Sequence, residues 1–123
     1  MKLKKSFKWL GLFLVLIAFT TFSSCAIILD TKAKLRIVNS SSYTVVYLYV
    51  YPSGSADEGP DQLGNNTITS GSEFLLTDIP EGTYDIKAVD QDNGYWQASN
   101  EYLAGGNTYC MTLYNTYSTF SQE

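Results

Sequence analysis

Tyr43-Thr44-Val45-Val46-Tyr47-Leu48-Tyr49-Val50-Tyr51 is the stretch whose reading decides the fold. Each residue is β-branched, aromatic or leucine, the types that fit a pleated surface. The run has no charge and no breaker, so it is expected to be a central strand covered on both sides. Pro52 ends it, because proline has no N–H for the ladder. Side chains alternate along a strand. Tyr43, Tyr47, Tyr49 and Tyr51 are therefore expected on one face, and Thr44, Val46, Leu48 and Val50 on the other.

Working outward, the same grammar repeats. On the N-terminal side, Lys34 to Val38 alternates as a strand and Asn39-Ser40-Ser41-Ser42 is turn chemistry. On the C-terminal side comes a long irregular segment, Pro52 to Asn66, in which Leu63 is the one large apolar residue and is expected to pin the loop to the core. Thr67 to Thr69 reads as a short strand and Glu73 to Ile79 as a longer one. Pro80-Glu81-Gly82 turns the chain, and Thr83 to Asp90 alternates with Tyr84, Ile86 and Ala88 inward. Asp92-Asn93-Gly94 and Gly105-Gly106 both read as hairpin turns. They flank a strand from Tyr95 to Leu103, and Asn107 to Tyr114 is the last strand.

About six to seven short strands with turns between them and no helical period define an all-β chain. The expected architecture is a single antiparallel β-sandwich, immunoglobulin-like or transthyretin-like. The divisions are 1–24 a lipoprotein signal peptide, 25–33 a lipidated tether, 34–115 the sandwich and 116–123 a polar tail.

The chain begins with Lys2, Lys4, Lys5 and Lys8, followed by an uncharged run from Trp9 to Phe19 and small or weakly polar residues up to Cys25. That is the layout of a secretory signal. The run falls short of the roughly 20 apolar residues a spanning helix needs. Phe22-Ser23-Ser24-Cys25 resembles the lipobox of bacterial lipoproteins, with Phe where the family usually has Leu. The resemblance implies cleavage before Cys25 and covalent lipid there: a diacylglyceryl group plus an amide-linked chain such as palmitate. More than one chain is what stable anchoring requires. Ala26 stands where an Asp would imply retention at the inner membrane, so the resemblance points to the outer membrane, with the domain in the periplasm or at the cell surface. A second resemblance, carried by Tyr47 to Ser53, Gly59 to Gly64 and Gly82 to Asp90, is to a recurrent small β domain of prokaryotic exported proteins. It implies a fold and no activity.

Composition excludes several functions. Four of the eight basic residues precede Cys25 and all twelve acidic ones follow it. A domain of that charge does not suit nucleic acid or an anionic lipid surface. No histidine is present, which removes the commonest general base and a common metal ligand. No catalytic residue is therefore assigned, and the chain is not expected to be an enzyme. Acylation of Cys25 would leave Cys110 without a disulfide partner, as a small hydrophobe in the last strand.

Two patterns remain for binding. Tyr43, Tyr47, Tyr49, Tyr51 and Trp96, extended by Tyr95 and Tyr102, form a candidate surface, since aromatic side chains offer contact area at low entropic cost. Asp57, Glu58 and Asp61 in the long loop, with Asp90 and Asp92 in the hairpin, are the candidate Ca²⁺ ligands, because hard cations take several oxygen donors. The EF-hand template is not met. No other cofactor is expected. The leading expectation is a lipid-anchored envelope protein displaying a non-catalytic sandwich with a structural or protein-binding role. The alternatives are a carbohydrate- or calcium-dependent module and an accessory subunit of a membrane complex.

Overall fold

A computed structural model describes residues 31–123. The expected signal peptide, Cys25 and the expected tether up to residue 30 lie outside the described residues. Seven strands follow one another: β1 (Lys32–Asn39), β2 (Val45–Pro52), β3 (Glu73–Pro80), β4 (Gly82–Asp90), β5 (Tyr95–Leu103), β6 (Thr108–Leu113) and β7 (Ser118–Gln122). They form a four-stranded sheet in the order β3-β1-β6-β7 and a three-stranded sheet in the order β2-β4-β5. The expected β-sandwich is therefore the observed one. One pairing departs from an all-antiparallel design: β1 and β6 run parallel, with Ile37 opposite Met111.

Alternation explains the core. Ala33, Leu35 and Ile37 of β1 and Met111 and Leu113 of β6 face Leu48, Ile86, Ala88 and Leu103, all buried. Two packed sheets of this kind bury alternate residues of every strand. As expected, Leu63 is buried and carries the long loop onto the core.

Four expectations need correction. The tyrosine-rich strand β2 is at a sheet edge, not in a centre. Its free edge is nevertheless covered: Leu48 N donates to Asp61 Oδ1 at 2.9 Å, Gln62 N donates to Leu48 O at 2.7 Å, and Val45 exchanges backbone bonds with Ile68. An apolar run can thus sit at an edge when a loop pairs with it, which also blunts edge-to-edge association. That bridge at Ile68 is all that Thr67–Thr69 contributes. Gly105-Gly106 is not a hairpin turn, because β5 and β6 belong to different sheets. Gly105 passes so close to the N-terminal segment that a Cβ would sit 2.7 Å from the Thr31 carbonyl carbon, so no side chain fits there. Finally, residues 116–123 are not a tail and the sandwich does not begin at 34. β7 pairs with β6, and Phe120 stacks on Tyr109 with ring centroids 5.8 Å apart. β1 starts at Lys32, inside the stretch read as tether.

The Asp92-Asn93-Gly94 hairpin is present. Asn93 has φ 68°, Asn93 N donates to Asp90 O, and Asp90 N donates to Gly94 O. That is a turn closed by one left-handed residue, a common three-residue hairpin.

Candidate functional site

A bulge sorts the tyrosines. Val45 pairs with Asp90 and Tyr47 with Val89, so Val46 is an extra residue in β2. One inserted residue moves everything on one side of it to the opposite face. Val45 and Tyr43 therefore keep one parity, and Tyr47, Tyr49 and Tyr51 take the other. Tyr43 meets Trp96 edge-on at 6.4 Å, at one end of the sandwich. Trp96 is buried, and its Nε1–H donates to Tyr114 O at 2.7 Å. Neither belongs to the stripe formed by Tyr47 and Tyr49, so the five-residue surface expected from the sequence divides in two.

The outer face of the three-stranded sheet keeps the rest. Tyr47 and Tyr49 stack at 6.2 Å. Cross-strand pairing puts Tyr47, Val89 and Tyr95 in one row and Tyr49, Lys87 and Gln97 in the next. Tyr95 is 61 % exposed and Tyr47 46 %. Lys87 Nζ lies 4.9 Å from the Tyr95 ring centroid and 3.0 Å from Glu58 Oε2. Its ammonium is held above the ordinary lysine pKa, chiefly by the Glu58 hydrogen bond. Tyr51 sits on this same face but is buried. Burial pushes its phenol above the usual value, and the Glu58 and Asp85 charges push the same way. Tyr102 is exposed farther along β5, with its phenol raised chiefly by a hydrogen bond to Glu81.

The candidate Ca²⁺ ligands are dispersed. Asp61 Oδ1 accepts Leu48 N and Leu63 N, Asp57 Oδ1 accepts Gly59 N, and Asp90 Oδ1 accepts Asp92 N and Gly94 N. Glu58 holds Lys87. Among the described residues no three acidic, histidine or cysteine side chains converge as a metal-ligand group. The carboxylates of Asp57, Asp61 and Asp90 instead tie down turns or loops, which is what Asp commonly does there. Cys110 is half-buried, 3.6 Å from Thr112 Oγ1, on the four-stranded sheet.

A cleft of 360 Å³ opens where the β4–β5 hairpin meets the β6–β7 turn, lined by Tyr43, Asp90, Asp92, Gly94, Tyr95, Trp96, Asn115 and Thr116. The aromatic residues in this wall were legible as candidates. The participation of Asn115 and Thr116 was not, because nothing local announces that a polar turn will pack beside a hairpin some twenty residues away.

No family model and no curated protein sequence matches the chain. Among solved structures it is similar to an NMR structure of a protein from Eubacterium rectale, with a TM-score of 0.52 and 16% identity over 76% of this chain and 91% of that one. It is also similar to the N-terminal domain of AlgF from P. aeruginosa, with a TM-score of 0.52 and 13% identity over 79% of this chain and 99% of that one. At such identities the likeness defines a class by fold alone, a small β-sandwich domain.

Proposed function

We propose that this chain is a lipid-anchored bacterial envelope protein, held at the outer membrane through acylated Cys25, that presents a non-catalytic β-sandwich to a protein partner. The outer face of the β2-β4-β5 sheet is the binding surface in this reading. The observation that carries it is the row Tyr47-Val89-Tyr95 with Tyr49 stacked beside Tyr47. Tyrosine has few rotatable bonds, so a partner that covers these rings gains apolar burial at little ordering cost. The rim is polar, with Lys87, Gln97 and Asp85 alongside, as in a protein contact surface. The basic start and Phe22-Ser23-Ser24-Cys25 support the anchor.

A photo-crosslinking residue placed at Tyr47 or Tyr95 in living cells tests this. The expected outcome is one discrete protein adduct from both positions, lost when Tyr49→Ala is added. The same residue at Thr119, on β7 of the opposite sheet, gives no such adduct. Equal adducts from Thr119, or a glycan in place of a protein, would defeat the protein-docking reading.

A further inference from the structure

The geometry points to the cleft between the β4–β5 hairpin and the β6–β7 turn as a binding site for an alkylated ammonium group. Three aromatic residues, Tyr43, Tyr95 and Trp96, line a volume of 360 Å³ together with Asp90 and Asp92. That size is within the range of small-molecule sites. No lysine or arginine is among the lining residues. Lys87, outside the lining, lies over the Tyr95 ring and is paired with Glu58.

What favours an ammonium over a sugar is the charge of the lining, with two acidic residues and no basic one, together with the state of four of its polar groups. Trp96 Nε1–H is donated to Tyr114 O. Asn115 Oδ1 accepts Ser42 N at 2.7 Å and Ser42 Oγ at 3.3 Å. Gly94 N and Asp90 Oδ1 bond each other at 3.0 Å. A saccharide is recognised through directional hydrogen bonds from its hydroxyls, and these four groups, though not every polar group of the lining, already have partners. A tetraalkylammonium needs none. It needs π faces, nearby negative charge and shelter from water, which is how aromatic cages hold such ions. Trp96 and Asp90 are both more than nine-tenths buried, so the walls are rigid. Gly94 brings the hairpin close to Asp90: a Cβ there would stand 2.8 Å from Asp90 Oδ2. The site shares Tyr95 with the docking face but involves neither Tyr47 nor Tyr49, so substitutions at Tyr43 and Asp92 test it without touching that face.

The test is a titration of the full-length protein in a polyoxyethylene detergent, followed by the ¹⁵N-indole resonance of Trp96. The probes are tetramethylammonium, choline, phosphocholine, methyl glucoside and 3,3-dimethylbutan-1-ol, the uncharged carbon isostere of choline. Tetramethylammonium and choline are expected to move the resonance to saturation, with the isostere at least about tenfold weaker. Tyr43→Leu and Asp92→Asn, both at exposed positions, should each weaken choline about fivefold while the remaining spectrum stays native. Phosphocholine binding tighter than choline would assign the group to a lipid headgroup; weaker binding would assign it to a free solute. The proposal is overturned if the isostere binds as well as choline, if methyl glucoside saturates the site and choline does not, or if both variants retain full choline affinity.

Discussion

Asn39 is inaccessible to solvent, and its amide makes bonds on both sides. Nδ2 donates to Tyr43 O at 2.7 Å and Ile68 O at 2.9 Å, while Oδ1 accepts Ser41 N at 3.0 Å and Ser41 Oγ at 2.6 Å. Its backbone also bonds Ser72 O and Gly71 N. One side chain thus fixes the exit of β1, the entry of β2 and the approach to β3. A buried polar group that loses its partner costs the full desolvation of what remains. Asn39→Leu keeps the branching, adds bulk and strands the carbonyls, so it should lower stability by about 3 kcal/mol. In urea the midpoint should fall with an unchanged slope. Equal midpoints would show that solvent reaches those groups. From the sequence, Asn39-Ser40-Ser41-Ser42 is legible as a turn and no more, since a local pattern cannot say that the turn faces inward. Arg36 is similar in kind: it bridges Glu73 and Glu123, residues distant in the chain, and both hydrogen bonds hold its guanidinium above its ordinary pKa.

At the scale of elements, strand identity was written locally and strand placement was not. The boundaries of β5 and the inward set Ile86 and Ala88 of β4 follow from alternation alone. The tyrosine stripe failed at Tyr43 because the bulge at Val46 depends on pairing with β4, which no property of the run itself specifies. β2 looked central because its edge is satisfied by Asp61, Gln62 and Ile68 from a segment that reads as loop. β7 was illegible for a different reason. Ser118 to Gln122 holds one apolar residue, Phe120, whose value lies in the stack with Tyr109 on the neighbouring strand. Phe120→Ala should therefore cost about 2 kcal/mol, less than a fully buried phenylalanine. Hydrogen exchange should quicken at the β6 amides that pair with β7, while β4 stays protected. If β6 exchange were unchanged, the last eight residues would be a tail after all.

For the molecule as a whole, two sheets place two distinct features within reach of one another. The tyrosine rows lie on the outer face of the three-stranded sheet, and the aromatic, acidic cleft lies at the end of the sandwich. Tyr95 belongs to both. The fold class could be read from the sequence because period-two patterning and turn residues agree along most of the chain, and such agreement across levels is what specifies a fold. The cleft could not be read, because it is assembled from Tyr43 ahead of β2, the β4–β5 hairpin and the β6–β7 turn only after the sheets have packed. The anchor is the part of the account on which location and partner class depend. Mass spectrometry of the protein purified from native membranes tests it most directly. The predicted result is an N-terminal peptide that begins at Cys25 and carries a diacylglyceryl group with an amide-linked chain. An intact peptide beginning at Met1, with no acyl mass on Cys25, would contradict it.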